Sequence, residues 1–156
     1  MCIRDRVDTE KKLVIAGGSS DTSEFENEMK ELAKEDKRII FTGFVQGQEL
    51  EELYSNAYVY ALPSDLEGMP LSLLEAMSYG NCCLVSDIPE CAEVVEDKAL
   101  IFKKADVKDL QSKLQDACDH SEKVDAHKKQ AADFICSKYN WDEIVQATLK
   151  LYRRKK

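Results

Sequence analysis

Two glutamates, Glu67 and Glu75, stand eight residues apart in the stretch Ser64-Asp-Leu-Glu-Gly-Met-Pro-Leu-Ser-Leu-Leu-Glu-Ala-Met-Ser-Tyr-Gly80. Glu75 is flanked by Leu73, Leu74, Ala76 and Met77, a run expected to form a largely buried helix. A carboxylate in such surroundings is costly unless it accepts strong hydrogen bonds. Two adjacent hydroxyls, as on a ribose, would supply them, each worth about 1.5–3 kcal/mol to a charged acceptor. Glu67 precedes Gly68, whose missing side chain lets the backbone approach a ligand closely. The amides from Met69 to Ser72, at the start of a helix, form a ready site for an anion. Plainer readings compete at both positions. Glu67 could simply face the helix dipole, and Glu75 could belong to a structural ion pair.

The elements that must position these residues follow from the hydrophobic pattern. Leu13-Val-Ile-Ala16 reads as a short buried strand closed by Gly17-Gly18, and Ser23 with Glu26 has capping-box spacing before a helix on Phe25, Met29, Leu32 and Ala33. Further strands are expected at Arg38–Phe41, Ala57–Leu62, Cys82–Val85 and Ala99–Phe102. Helices fall between them, around Leu50–Tyr54, from Pro70 to about Gly80, and from Pro89 to Val95. After Val107 the pattern is helical only, and Trp141, Ile144, Val145, Thr148, Leu149 and Tyr152 line one stripe of a terminal helix. Continuous apolar strands alternating with helices predict an α/β fold with a doubly wound parallel sheet. Its chemistry belongs in loops at the carboxyl ends of the strands. Gly17-Gly18, Thr42–Val45, Pro63–Met69 and Ser86–Pro89 all fall there, and four loops are expected to share one rim. A nucleotide diphosphate-sugar fits it, with diphosphate at the helix start, ribose toward Glu75 and sugar near Glu67.

Bulk properties narrow the partners. A net charge of −8 argues against nucleic acid, whose binding depends on neutralising phosphates. No apolar run reaches the roughly 20 residues of a membrane span. The N-terminus lacks a signal-peptide core, so a cytoplasmic protein is the simplest expectation. The cysteines at 2, 82, 83, 91, 118 and 136 contain no C-x-x-C pair. Reduced core thiols are therefore expected rather than a disulfide or metal framework. Residues 1–6, Met-Cys-Ile-Arg-Asp-Arg, lack any periodicity and are read as a non-native leader.

From Leu13 onward the chain resembles the nucleotide-sugar-binding half of retaining GT-B glycosyltransferases of the family 4 type. The residues that carry the resemblance are Leu13-Val-Ile-Ala-Gly-Gly18, Ile40-Phe-Thr-Gly-Phe-Val45, Leu53-Tyr-Ser-Asn-Ala57 and Leu62–Pro70. Leu74-Glu-Ala-Met77, Gly80, Val85-Ser-Asp87 and Glu93-Val-Val95 extend it. The resemblance implies a Rossmann-like C-terminal half of a GT-B fold. Residues 7–120 would form its donor domain, with the first strand missing, and residues 121–156 its terminal helices. It implies that Glu75 holds the ribose hydroxyls and that Glu67 is the catalytic carboxylate beside the donor sugar. Gly68, Met69, Pro70 and Leu71 would approach the diphosphate, Phe44 and Val45 would line the base, and Gly17 would belong to the donor site. No metal and no cofactor beyond the donor itself are implied. The acceptor would be a glycan or a lipid-linked glycan.

One departure can be read without the family: no lysine or arginine lies between Arg38 and Lys98, so the rim is expected to lack a cation. In similar enzymes an arginine and a lysine preceding the Leu13-type strand neutralise the diphosphate. Their absence, with that of an N-terminal acceptor domain, predicts a truncated chain that transfers no sugar alone. Two further classes compete with this one. A stand-alone, non-catalytic nucleotide-binding module fits the same residues. A dinucleotide-binding Rossmann domain does not, because Ala16-Gly-Gly-Ser-Ser20 lacks the G-x-G-x-x-G spacing.

Overall fold

The computed structural model describes residues 6–18 and 23–153. Five strands alternate with helices among them: β1 (Leu13–Ala16), α1 (Glu24–Ala33), β2 (Ile39–Gly43), α2 (Gln48–Asn56), β3 (Tyr60–Leu62) and α3 (Leu71–Ser78) come first. They are followed by β4 (Cys83–Ser86), α4 (Pro89–Val95), β5 (Leu100–Phe102), α5 (Val107–Asp119), α6 (Ser121–Lys138) and α7 (Trp141–Arg153). Every strand pair is parallel, as continuous apolar strands joined by helical crossovers require.

The ladder is divided. β1 pairs with β2, and β3, β4 and β5 form a separate three-stranded sheet. Only β4, the middle strand of the second sheet, has the expected burial throughout, since β3 alternates between half-buried and exposed and β5 is mostly half-buried. β4 is buried along its length, with Cys83, Leu84 and Val85 fully enclosed. β1 corrects the expectation of a buried strand, because its residues alternate between half-buried and exposed. Val14 on β1 and Ile40 on β2 stay 39% and 38% exposed.

The main core joins α2, α3, β4, α4 and α6. Tyr54, Leu73, Ala76, Met77, Val85, Val94, Val95, Ala131 and Ile135 meet there. A smaller cluster of Cys82, Ala117 and Val124 packs the start of β4, at the residue just before it, against α5 and α6. The segment before β1 is tied in at several points. Val7 is buried, Gln111 Nε2 donates to the Arg6 carbonyl (2.7 Å), and Gln115 Oε1 accepts from the Asp8 amide (2.8 Å). Residues 1–5 of the leader reading lie outside the described residues.

One local expectation is corrected. Ser23 sits at the N-cap of α1 but forms no capping hydrogen bond, its backbone being in the helical rather than the extended region. Side-chain caps form elsewhere: Asp106 accepts from the amides of Lys108 and Asp109 at the start of α5, and Asn140 accepts from the Asp142 amide (2.9 Å) at the start of α7.

Candidate active site

The Glu67 loop begins where β3 ends and is held from beneath by the neighbouring strand end. Ser86, the last residue of β4, donates its hydroxyl to the Ser64 carbonyl. Ser64 in turn donates its own hydroxyl to Glu67 Oε1 (2.5 Å). A serine relay thus runs from the buried sheet to the candidate carboxylate. Gly68 follows, and a Cβ built there would meet nothing within 4 Å, so the backbone faces open space. Among the described residues no hydrogen bond occupies the amides of Gly68, Met69 or Ser72. The Leu71 amide differs, since it turns back onto the Met69 carbonyl (2.8 Å) and is already engaged. Pro70 is the N-cap of α3 rather than its first residue and is buried.

α3 buries one face, with Leu73, Ala76 and Met77 inaccessible. Glu75 corrects the expectation of a buried carboxylate, for it lies on the exposed face. Leu71, one turn earlier on that face, is 54% exposed. The carboxylate therefore keeps its hydration, and its place in the helix demands no compensating ligand. One partner from the protein reaches it: Tyr54 Oη, from α2, donates to Glu75 Oε2 at 3.1 Å. Tyr54 is buried, its ring stacked on Tyr79 (centroids 5.5 Å apart) and tilted against Tyr60 (6.0 Å). Tyr60 donates to Ser72 Oγ (2.9 Å) on α3. Burial, aided by the nearby Tyr60 and Glu75, pushes the Tyr54 phenol well above its ordinary range, so it remains a donor.

The remaining predicted residues sit at the ends of β1 and β2. The Gly17 amide donates to the Gly43 carbonyl (2.8 Å), and Gly17 has a φ of 125°, which its lack of a side chain permits. Phe44 is 78% exposed and Val45 half-buried. Gly17, Gly43 and Phe44 thus cluster at one sheet's end, and Glu67 with Ser64 and Ser86 at the other's.

The structure adds a cation that residue order concealed. Lys104, beyond β5, donates its ammonium to the Asp65 carbonyl (2.6 Å), and its amide bonds Asp87 Oδ1 (2.7 Å). The expectation of a cation-free rim is therefore corrected. The gap between Arg38 and Lys98 holds in sequence, but the crossover from β5 carries Lys104 back to the Glu67 loop. No local signal in the sequence marks that return, because it depends on β5 lying beside β4. Among the described residues no group of three His, Cys, Asp or Glu side chains is placed to hold a metal ion.

The order of strands and helices and this loop-plus-helix site define a Rossmann-like domain of the kind found in GT-B glycosyltransferases. In the crystal structure of Anabaena HepE in complex with UDP-glucose, the same fold is matched with a TM-score of 0.89 at 14% identity. That match covers 97% of this chain and 43% of HepE. The family described as Glycosyl transferases group 1 matches residues 3–134, and the chain belongs to it.

Among relatives, an N,N'-diacetylbacillosaminyl-diphospho-undecaprenol alpha-1,3-N-acetylgalactosaminyltransferase of Campylobacter jejuni is 34% identical over 109 residues. That alignment takes in 68% of this chain and 28% of the relative. An uncharacterized glycosyltransferase of Methanocaldococcus jannaschii is 30% identical over 148 residues, 91% of this chain and 37% of that one. The chain thus spans about a third of the length of these relatives.

Proposed function

We propose that this chain is the donor-binding domain of a retaining glycosyltransferase, which moves a hexosyl-type sugar from a nucleotide diphosphate-sugar to a glycan or lipid-linked acceptor. The observation that carries the reading is the placement of Glu75. Its carboxylate is accessible, oriented by Tyr54, and carried by the helix that follows directly on a loop offering Glu67 and unoccupied amides. In this reading Glu75 accepts the ribose hydroxyls, Phe44 and Val45 line the base, and Gly17 borders the site. The Gly68, Met69 and Ser72 amides face the diphosphate, beside Pro70 and Leu71.

As the bond from the anomeric carbon to the diphosphate lengthens, positive charge develops on the sugar and negative charge on the departing phosphate. Prearranged amides stabilise the departing phosphate, and Glu67 lies beside the sugar. The sugar keeps its anomeric configuration, and the reading includes no metal. HepE with UDP-glucose supports the donor class, and the name of the Campylobacter relative supports a lipid-linked acceptor. Acceptor binding and the remaining phosphate charge belong to a second domain, so the chain alone transfers no sugar. In this reading the reaction takes place in the cytoplasm or at the cytoplasmic membrane face. No helix among the described residues is long and apolar enough to cross a membrane.

Calorimetric titration of the chain with UDP, GDP, UDP-glucose and NAD tests the reading. A uridine or guanosine diphosphate, free or sugar-linked, should bind. Glu75→Gln should weaken that binding about tenfold or more, the worth of a charged hydrogen bond. Its melting temperature should stay within about 1–2 °C of the parent, because an exposed substitution rarely costs more than about 0.5 kcal/mol. Binding of NAD alone, or unchanged affinity in Glu75→Gln, would overturn the proposal.

A further inference from the structure

Glu75 stands on an exposed helix face, yet its hydrogen-bond donor is among the most enclosed polar side chains in the domain. Tyr54 is 8% exposed. Its ring is stacked on Tyr79 and tilted against Tyr60, contacts that restrain the hydroxyl it carries. Its backbone is fixed as well. Asn81, 2% exposed, donates to both the Tyr54 carbonyl (2.8 Å) and the Ala76 carbonyl (3.0 Å), pinning the end of α2 to α3. An exposed glutamate would otherwise sample several rotamers, and ordering it upon binding costs free energy of order 1–2 kcal/mol. A rigid donor meets that cost during folding instead.

From this arrangement we infer that Tyr54 is a positioning residue for ribose recognition, its phenol holding the Glu75 carboxylate in the orientation that receives the two ribose hydroxyls. The inference rests on the proposed role of Glu75 and adds a second, buried determinant of nucleotide affinity that never touches the ligand. The bond uses Oε2, and among the described residues Oε1 accepts no hydrogen bond from the protein. The carboxylate is thus fixed at one oxygen and open at the other. The elevated phenol pKa keeps the donor protonated across any ordinary assay pH.

Tyr54→Phe retains the stacked ring and removes only the hydroxyl. The test measures dissociation constants of UDP and GDP, each against its 2′,3′-dideoxy form, by NMR titration of the 156-residue chain. The parent, Tyr54→Phe, Glu75→Gln and the double variant are compared, with circular dichroism confirming the fold. For the ribose-containing nucleotide, Tyr54→Phe should weaken binding about threefold to tenfold, the worth of one oriented hydrogen bond. It should leave the dideoxy form unaffected and add nothing in the Glu75→Gln background. An equal loss for both ligand forms would reduce the bond to a structural tie between α2 and α3 and overturn the inference. Unchanged binding in Tyr54→Phe while Glu75→Gln is impaired would do the same. Unimpaired binding in Glu75→Gln is a separate outcome, which removes the role of Glu75 itself and the inference with it.

Discussion

Cysteines illustrate how one residue type serves different ends along the chain. Cys82, Cys83 and Cys91 are enclosed, and burial raises all three thiols, Cys82 and Cys91 to about 11. Cys136, on the outer side of α6, is exposed. A thiol titration at pH 8 should therefore label Cys136 within seconds to minutes and spare the three buried thiols until the chain is denatured, because only an accessible thiolate reacts. Fast labelling of Cys82 or Cys83 in the native chain would contradict their enclosure. Core placement of Cys82 and Cys83, just before and at the start of β4, was legible from the apolar Cys82–Val85 run. The exposure of Cys136 was not, because a lone cysteine on a helix carries no directional signal. Glu75 failed in the opposite sense. Leucines at 71, 73 and 74 made the helix look buried all round, but Leu71 faces outward with the carboxylate.

At the scale of elements, the boundaries that matter are set by side chains beyond the periodic residues. Asp106 caps α5, and its removal in Asp106→Ala should destabilise the domain by about 1 kcal/mol, read as a lowered midpoint in urea with an unchanged slope. An unchanged midpoint would mean that the cap contributes nothing. The turn just before it carries Lys104, followed by Ala105 in the left-handed region (φ 58°), a conformation that costs a non-glycine residue about 1–2 kcal/mol. That strained turn aims the lysine across β4 to the Asp65 carbonyl. Lys104→Met should keep the stem and free the carbonyl. Amide exchange from Asp65 to Gly68 should then accelerate while β4 is unaffected. Equal protection in both chains would show that Lys104 does not brace the loop. The helices were readable from spacing, whereas the long reach of Lys104 depends on strand order, which no local pattern encodes. The Ser23-Glu26 signature also misled, because spacing says nothing about the backbone angles that a cap requires.

For the whole molecule, the decisive fact is that packing is uneven. Every member of the two core clusters comes from Tyr54 onward, and β1–β2 is paired only to itself. Native-state exchange should protect the amides of Cys83 to Ser86 most strongly, with β1 and β2 opening at lower free energy as a separate unit. Uniform protection across both sheets would refute this division. The parallel α/β class was legible from five apolar runs alternating with helices. The split in the ladder was not, since pairing between non-adjacent strands leaves no mark within either run.

α7 is the other uneven region, with no buried residue, and its Trp141 is 70% exposed. It is also the chain's only tryptophan. Intrinsic fluorescence will consequently report on the wrong event. The indole of the folded chain already emits as a hydrated chromophore, so melting of the core will shift its spectrum little. A blue shift will appear when some surface covers α7, making this residue a built-in optical probe of docking rather than of folding.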